Sequence, residues 1–478
     1  MKRELIISAL VVASVASHAD EVDYSKGIFF INEDWYGHQN STVNYLLPDD
    51  AAGEYWRYRV IQAENPGVEL GCTNQYGAIW NGRLYMIAKQ DKDPGASIAG
   101  GRITVADAAT MKVVKQLRQI DPSGRQCDGR AFCGIDEGKG YVSTSNGIWI
   151  LNLETLEIEG MVEGSSNPNM GEGDGNPDSN SPSSLYYGQT GTMILAEGRV
   201  FAVHQQYGML VIDPVADRVT AVLDMEIIDE AIERDSGTRP QQPSGIGSTV
   251  VRSKDGRLWY TAAKNVQGTG AGVPYLISLD PVSLQREVIR IEGDGIYPPP
   301  NSWYAWTPDP FCASSVSNRL YWSGSSNSWF SNDYIFRYDI DSGKVEKICD
   351  FAQETGDWHL YGCSLGIHPV TDELYASMYH KFVDPTYVTR RLDADGKLIK
   401  EYPMISNYWF PSMPVFPEGA GSSGIDVIAT EPEQSEGRLY SISGRLVRES
   451  VGYGDWEGIS SGIYIWKSAT SSRKIVIR

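Results

Sequence analysis

The residues best suited to bind or react with a partner are histidines and aromatic side chains that fall between apolar segments rather than inside them. Histidine can ligate a metal or transfer a proton near neutral pH. Aromatic rings in connecting segments can form a binding surface, since such segments usually carry function. The alternative for any single ring is that a long segment folds back and needs it for a small core. The candidate ligand-binding residues are Trp35, His38, His204, Tyr207, Trp303, Trp306, Trp329, Trp358, His359, His380 and Trp409.

Metal binding and catalysis are the two chemistries that these residues could also support. Four of the histidines could share a metal, but they come from distant parts of the chain, so their separations cannot be deduced. Segment 171–178 resembles a loose calcium loop without the glutamate expected at the twelfth position. GxSxG, HExxH and P-loop motifs are absent. We therefore predict no metal, no cofactor and no catalytic residue, and we favour binding over catalysis.

A sequence repeat defines the elements that must position these residues. A polar turn followed by an apolar, aromatic segment recurs with a spacing of 54–62 residues, which is typical of repeat architectures. A strand ending near Asp or Asn, a turn and another strand follow each repeat, and a short strand rich in small residues precedes most of them. The closing aromatic residues of the seven repeat segments are Phe29, Tyr85, Tyr141, Phe201, Trp259, Tyr321 and Tyr375.

Four short antiparallel strands per repeat and seven repeats predict an all-β fold, a seven-bladed β-propeller of four-stranded blades. No helical period of any length is found. An array of β-sandwiches fits less well, because such domains run to about 100 residues each. The first repeat lacks a preceding strand, and segment 409–416 follows the seventh repeat without a sheet of its own. We expect 409–416 to complete the first blade and so remove exposed edges.

The strand order sorts the connections onto two faces of the predicted propeller. Connections from the first to the second strand, and from the third to the fourth, are short and polar. The remaining connections are long and aromatic and contain all the candidate residues. We call their side of the propeller the loop face, and it comprises 32–41, 204–208, 323–333, 378–386 and the blade crossings 164–191, 226–247, 292–310, 351–362 and 404–412.

The two ends of the chain predict export and a small appendage. Residues 1–19 read as a signal peptide, with Lys2 and Arg3 before an apolar run and small residues before Asp20. No later stretch reaches the roughly 20 apolar residues of a membrane-spanning helix. The predicted boundaries are 1–19 for the signal peptide, 20–417 for the propeller, 418–436 for a linker and 437–478 for a C-terminal β-appendage.

Charge and cysteine content limit the classes of binding partner and the covalent chemistry that the sequence predicts. The chain has 61 acidic and 41 basic residues, a net charge of -20, which argues against nucleic acid as a partner. Export would permit disulfides among the six cysteines, and Cys72 with Cys127 or Cys349 with Cys363 are possible pairs. The alternative is that most of the cysteines are small buried residues.

Segment 27–41 reads Gly-Ile-Phe-Phe-Ile-Asn-Glu-Asp-Trp-Tyr-Gly-His-Gln-Asn-Ser. Together with the repeat pattern, it resembles the YncE-like, surface-layer-type propellers exported by gut Bacteroidetes, over roughly Tyr24 to Glu418. Some related propellers are outer-membrane lipoproteins that capture corrinoids for a TonB-dependent transporter. The resemblance therefore implies a corrinoid-like ligand and an outer-membrane transporter as partner, although this chain has no cysteine at the cleavage site.

The tail carries a second resemblance, in segments 440–447, 462–465 and 474–478. These segments resemble a type IX secretion C-terminal sorting domain in a shortened form, because the usual opening hairpin is missing. The resemblance implies sorting to the cell surface or beyond. The alternative is a small β-appendage with no role in sorting.

The sequence as a whole predicts a secreted or cell-surface propeller that binds a small molecule or a glycan on the loop face. A surface scaffold for contacts between proteins is the first alternative, and a quinoprotein-like or lyase-type enzyme that uses histidines and carboxylates is the second. A pocket on the loop face would favour ligand binding, and a flat apolar rim would favour the scaffold.

Overall fold

In a computed structural model the chain is all-β, with 49% strand and 7% helix among the residues that the structure describes, which confirms the predicted class. The chain divides into two compact units, Met1–Ile425 and Asp426–Arg478. The predicted signal peptide lies outside the described residues, as does the predicted linker except for its last residue. The described residues are 22–125, 127–170, 183–239, 245–263, 274–299, 303, 308–326, 331–381, 383–417, 436–441, 445–452, 458–459, 462–467 and 472–477.

Short antiparallel strands make up the first unit. In chain order they are β1 (Ile28–Asn32), β2 (Thr42–Leu46), β3 (Trp56–Arg57), β4 (Cys72–Trp80), β5 (Arg83–Gln90), β6 (Ile103–Asp107), β7 (Val113–Leu117), β8 (Gly129–Gly134), β9 (Lys139–Thr144), β10 (Ile148–Asn152), β11 (Glu157–Met161), β12 (Thr190–Ala196), β13 (Arg199–His204), β14 (Gly208–Asp213), β15 (Arg218–Leu223), β16 (Gly245–Arg252), β17 (Leu258–Ala263), β18 (Pro274–Leu279), β19 (Arg286–Arg290), β20 (Phe311–Ala313), β21 (Arg319–Gly324), β22 (Ser331–Asn332), β23 (Tyr334–Asp339), β24 (Lys344–Asp350), β25 (His359–Ile367), β26 (Leu374–Tyr379), β27 (Tyr387–Leu392), β28 (Leu398–Pro403) and β29 (Pro411–Val415).

These strands form sheets of four or five strands. The strand orders are β29-β1-β2-β3, β4-β5-β6-β7, β8-β9-β10-β11, β12-β13-β14-β15, β16-β17-β18-β19, β20-β21-β23-β24 and β22-β25-β26-β27-β28. We call the strand of each sheet that packs beside its counterparts in the neighbouring sheets the innermost strand. Each repeat segment lies in the strand next to it, in β1, β5, β9, β13, β17, β21 and β26. All of their closing aromatic residues are buried, so the repeat marks a recurring core position.

The first sheet joins the two ends of the unit. Strand β29 pairs antiparallel with β1, with Phe29 opposite Val415 and Ile31 opposite Met413. The buried hydroxyl of Ser412 lies 3.1 Å from the carbonyl oxygen of Ile31 and 3.0 Å from that of Asn74 in β4. The pairing predicted for 409–416 is therefore confirmed.

The innermost strands pack beside one another from sheet to sheet. Their order is β29, β4, β8, β12, β16, β20, β25 and back to β29, which is a propeller-like arrangement. Small residues permit the close approach. A Cβ atom at Gly191 would lie 2.3 Å from the carbonyl oxygen of Ser248, and one at Gly366 would lie 2.5 Å from Cγ of Pro414.

The recurring Asp or Asn near the end of the third strand has a local role in the turn that follows. The Asp107 carboxylate accepts the backbone N–H of Thr110 at 2.9 Å. Asn152 and Asp280 accept the N–H groups of the corresponding turns at 2.9 and 2.8 Å. Side chains of this kind mimic a backbone turn, so these residues stabilise hairpins rather than take part in chemistry.

Helices are few but one contradicts the sequence interpretation. The helices are α1 (Val60–Glu64) and α2 (Glu226–Ser236), with 3₁₀ turns at Tyr24–Lys26, Ser183–Tyr187 and Phe351–Gln353. The interpretation that no helical segment occurs is wrong for α2, which lies in the predicted crossing 226–247. At 11 residues it is too short for its period to stand out, and it is held by burial of Ile228, Ala231 and Ile232 against the neighbouring sheets.

The second unit is a small antiparallel sheet. Its strands are β30 (Glu436–Ser441), β31 (Leu446–Gly452), β32 (Gly462–Lys467) and β33 (Ser472–Ile477), in the order β31-β30-β32-β33. Leu439, Val451, Tyr464 and Trp466 form its core. The indole N–H of Trp466 donates to the carbonyl oxygen of Val451 at 3.0 Å.

All six cysteines are described, and none forms a disulfide. The pairings considered for Cys72 with Cys127 and for Cys349 with Cys363 are therefore wrong. Five of the thiols are buried and Cys312 is half-buried, which agrees with the alternative that cysteine serves as a small core residue here. Across the described ranges, no helix has the length and apolarity needed to span a bilayer.

Candidate functional site

Trp35, His38 and Trp409 lie near the joined ends of the first unit. The Trp35 ring contacts the His38 ring at 4.0 Å and the Tyr408 ring at 4.1 Å, between centroids. His38 is exposed. Trp409 is only 2% exposed, its indole N–H donates to the carbonyl oxygen of Ile405 at 3.0 Å, and its ring stacks on Tyr58. Of these three, Trp35 and His38 can touch a ligand.

Trp358, His359 and His380 form a second group around the start of β25. Nδ1 of His359 lies 2.6 Å from Oδ1 of Asp333, and its Nε2 lies 3.3 Å from Oδ1 of Asp357. The hydrogen bond to Asp333 raises the pKa of His359, against the effect of burial. His380 lies 3.2 Å from Asp384, and its ring meets the Trp358 ring edge to face at 5.3 Å. Both histidines are therefore occupied by carboxylates.

His204, Tyr207 and Trp303 are held by structural contacts of their own. His204 ends β13, is fully buried, and accepts the backbone N–H groups of Gln206 and Tyr207 at 3.2 and 3.1 Å through Nδ1. Its ring stacks on Tyr207 at 4.2 Å. Trp303 is 2% exposed and donates its indole N–H to the carbonyl oxygen of Ile246 at 2.8 Å. Burial lowers the pKa of His204 to about 3, so the ring is neutral.

Two candidates, Trp306 and Trp329, lie outside the described residues, as does the predicted calcium loop at 171–178. In the described part of the chain, no three His, Cys, Asp or Glu side chains gather as metal ligands. The candidate histidines lie in separate groups with partners of their own.

Charged and amide side chains that the sequence reasoning did not single out meet at the loop-face ends of the strands. They lie at the ends of β1 and β5 and at the starts of β4, β8, β12 and β25, where the inner strands of neighbouring sheets approach one another. We call them the central polar cluster, and its members are Glu33, Gln75, Lys89, Asp128, Arg130, Tyr186, Gln189 and Tyr361.

Arg130 and Asp128 are the two fully buried charges of the central polar cluster, and neither has exposed side-chain surface. Nη2 of Arg130 lies 3.5 Å from Oδ2 of Asp128, and its Nε donates to Oε1 of Gln189 at 2.9 Å. Gln189 in turn donates to the carbonyl oxygen of Trp303 at 2.7 Å. Burial lowers the pKa of Arg130, and the charge of Asp128 opposes that shift.

Glu33 forms other hydrogen bonds of the cluster. Its Oε2 accepts the phenol O–H of Tyr361 at 2.6 Å and the amide N–H of Gln75 at 2.7 Å. Burial raises the pKa of Glu33 although both hydrogen bonds oppose it. Part of the Glu33 side chain still reaches solvent.

Lys89 lies between these two parts of the cluster, at the end of β5. Its Nζ is 5.0 Å from the centroid of the Tyr186 ring, a cation–π contact. Burial lowers the pKa of Lys89, and the charge of Asp128, followed by that of Glu33, opposes the shift. Tyr186 also donates to Oδ2 of Asp128 at 3.4 Å. Tyr36, 49% exposed, lies close enough to Asp128 for that carboxylate to raise its pKa, after burial and other groups.

The cluster thus offers hydrogen-bond donors, acceptors and tyrosine rings at one place. The sequence signal that could have found it is a charged residue inside an otherwise apolar strand, as with Lys89 in β5 and Arg130 in β8. Such residues are costly to bury and need a reason.

Known proteins add a family but no ligand. The family model described as a domain of unknown function, DUF5074, matches residues 26–417. No curated protein matches the chain. Among solved structures, the chain is similar to an extracellular domain assigned to a one-component system of B. thetaiotaomicron, at 13% identity and a TM-score of 0.41, covering 86% of this chain and 45% of that one.

Two further structures are similar at 11% identity. One is an extracellular domain assigned to a hybrid two-component system of B. thetaiotaomicron, with a TM-score of 0.42 and coverage of 95% of this chain and 55% of that one. The other is a protein of unknown function from Bacteroides caccae, with a TM-score of 0.35 and coverage of 65% and 93%. The chain spans about half the length of the two B. thetaiotaomicron domains.

Proposed function

We propose that this chain, which belongs to the DUF5074 family, is an exported seven-bladed β-propeller that binds a small polar ligand at the loop-face end of its central channel. The blade count rests on the match between the repeat segments and the sheets, and on the neighbouring inner strands from β29 through β25. Strand β29 closes the ring in this arrangement. A closed ring leaves one channel, and the central polar cluster lies at its mouth.

The observation that carries the proposal is the free-energy cost of burying the charged groups of the central polar cluster. Burying Arg130 and Asp128 removes two charges from water, and replacing such a pair with apolar residues is often neutral or stabilising. Lys89 and Glu33 add two more charged groups whose burial shifts their pKa values toward the neutral forms. Stability alone does not account for four such groups at one place, whereas a binding site does.

The chemistry of the cluster favours a hydroxyl-rich ligand, and a glycan is the class we propose first. Carboxylate, amide and guanidinium groups can exchange hydrogen bonds with sugar hydroxyls. The rings of Tyr186 and Tyr36 can cover the apolar face of a sugar. A corrinoid-like ligand, delivered to an outer-membrane transporter, is the second class, and it rests on the family resemblance of segment 27–41 alone.

Export to the cell surface, the periplasm or the medium is part of the same proposal. It rests on the signal-like segment 1–19 and on the sorting-like strands of the second unit. A protein with this address would meet glycans outside the cytoplasm. Fractionation of cells that produce the protein would test it, and a cytoplasmic protein with an intact residue 1 would contradict it.

Ligand binding is tested by probing the purified protein with a glycan array and with cobalamin and haem in thermal-shift assays. Ligand at 100 times its Kd should stabilise the folded state by about 2.7 kcal/mol. Tyr36→Ala should weaken binding about 5- to 10-fold through loss of one aromatic contact. Since Tyr36 is exposed, the melting temperature of the variant should equal that of the wild type. A folded protein that binds nothing in either assay would contradict the proposal and would favour the scaffold alternative.

A further inference from the structure

We propose that the ligand of the central polar cluster carries a carboxylate, as in a uronic acid or sialic acid saccharide, and that Lys89 binds this group. The inference rests on the proposed function and names its ligand class. Two observations on the cluster support it: a cation without a counter-ion, and a tyrosine ring beside that cation.

Lys89 is the cation. Among the described residues its ammonium group has neither a hydrogen-bond partner nor a carboxylate within ion-pair distance, and the Tyr186 ring lies 5.0 Å from it. Its neighbour Arg130 differs, because Asp128 and Gln189 already bind the guanidinium group. Lys89 is half-buried, and a partly desolvated cation without a counter-ion is unfavourable. An anionic ligand would supply the missing charge.

The other charged groups of the cluster already have partners. Asp128 is paired with Arg130, and Glu33 accepts hydrogen bonds from Tyr361 and Gln75. Lys89 is therefore the one cation of the cluster that no described carboxylate or hydrogen-bond acceptor holds. An anion bound beside it would be attracted by this charge.

Tyr186 supplies a surface for the sugar. Its ring lies 5.0 Å from the Nζ atom of Lys89, so a sugar whose carboxylate binds Lys89 can rest against this ring. A carboxylate fits better than a phosphate, because a phosphate presents more oxygens and charge than the one uncommitted cation can match.

The test compares matched acidic and neutral saccharides on the full chain by calorimetry. The pairs are sialyllactose with lactose, and a glucuronan trisaccharide with cellotriose. The acidic member of one pair should bind about 10- to 100-fold more tightly, as expected for a charge-assisted hydrogen bond. Lys89→Met should abolish that preference and leave neutral binding unchanged, while Lys89→Arg should retain it. Lys254→Met removes the same charge from an exposed turn and should change nothing.

Folding is checked with the same variants. Lys89→Met should keep or raise the melting temperature, because it removes a half-buried cation that has no counter-ion. A lower melting temperature would indicate a structural role and overturn the inference. Equal affinity for both members of each pair, or an unchanged preference in Lys89→Met, would also overturn it. If only neutral glycans or a corrinoid bind, the inference fails and the proposed function stands. If a folded protein binds no probe, both fail.

Discussion

His204→Asn should make the stability of the first unit less sensitive to acid. Burial lowers the pKa of His204 to about 3, whereas an unfolded histidine has a pKa of about 6.5. Below pH 6.5 the unfolded chain therefore binds a proton that the folded chain does not. The contribution of neutral His204 is fully present above pH 6.5 and is lost as the pH falls toward 3.

The size of the effect follows from the difference between the two pKa values. A pH of 5.0 lies about 1.5 units below the pKa of the unfolded histidine, and each unit corresponds to about 1.36 kcal/mol of free energy. Folding should thus lose about 2 kcal/mol between pH 7.5 and pH 5.0 through this residue alone. His204→Asn removes the titration, and its side-chain oxygen can still accept the N–H groups of Gln206 and Tyr207.

The measurement is urea unfolding of wild type and variant at both pH values, followed by tryptophan fluorescence. Loss of the ring contact with Tyr207 should cost about 1–2 kcal/mol at either pH. The difference between the two proteins should therefore shrink by about 2 kcal/mol at pH 5.0. His38→Asn, at an exposed histidine, is the control and should show the same difference at both pH values. Equal acid sensitivity of wild type and His204→Asn would refute the reasoning.

Three further outcomes are expected. Burial raises the pKa of Asp333 and its hydrogen bond with His359 lowers it, with a net lowering, while Asp333 raises the pKa of His359. Asp333→Asn should therefore lower the free energy of unfolding most, by about 1–2 kcal/mol, between about pH 4 and 6.5, where both groups are charged. An equal loss at pH 5.5 and pH 9 would contradict the pairing. Ser412→Ala should lower the free energy of unfolding by about 1–2 kcal/mol, because it removes a buried hydrogen bond between β29 and its neighbours; a loss under 0.5 kcal/mol, on the order of an exposed serine, would argue against that role. A thiol reagent should titrate all six cysteines in denaturant without reductant but few in the native protein, since burial raises the pKa of Cys127 to about 12, and fewer than six in denaturant would reveal a disulfide.

The repeat segments and their turns could be predicted because their causes are local. Alternating apolar residues define a strand, and an Asp or Asn such as Asp107 holds its turn through the next few N–H groups. Helix α2 escaped prediction because packing of Ile228 and Ile232, rather than a long period, stabilises it. The aromatic candidates were harder to interpret. Half-buried Trp35 and buried Trp303 look alike in sequence, and only their neighbours separate a binding surface from a core.

By itself, the sequence determined the strands, their grouping into repeats and the pairing of the two ends, since each follows from short-range pattern and the need to cover edges. Only the tertiary structure decided which side chains meet. Glu33 contacts Tyr361, and Arg130 contacts Gln189, across separations that no periodicity encodes. It also decided which charges remain unpaired, because burial and partner distance arise when the sheets pack side by side. Lys89 became a candidate for binding in this way, while His204 became a neutral core residue.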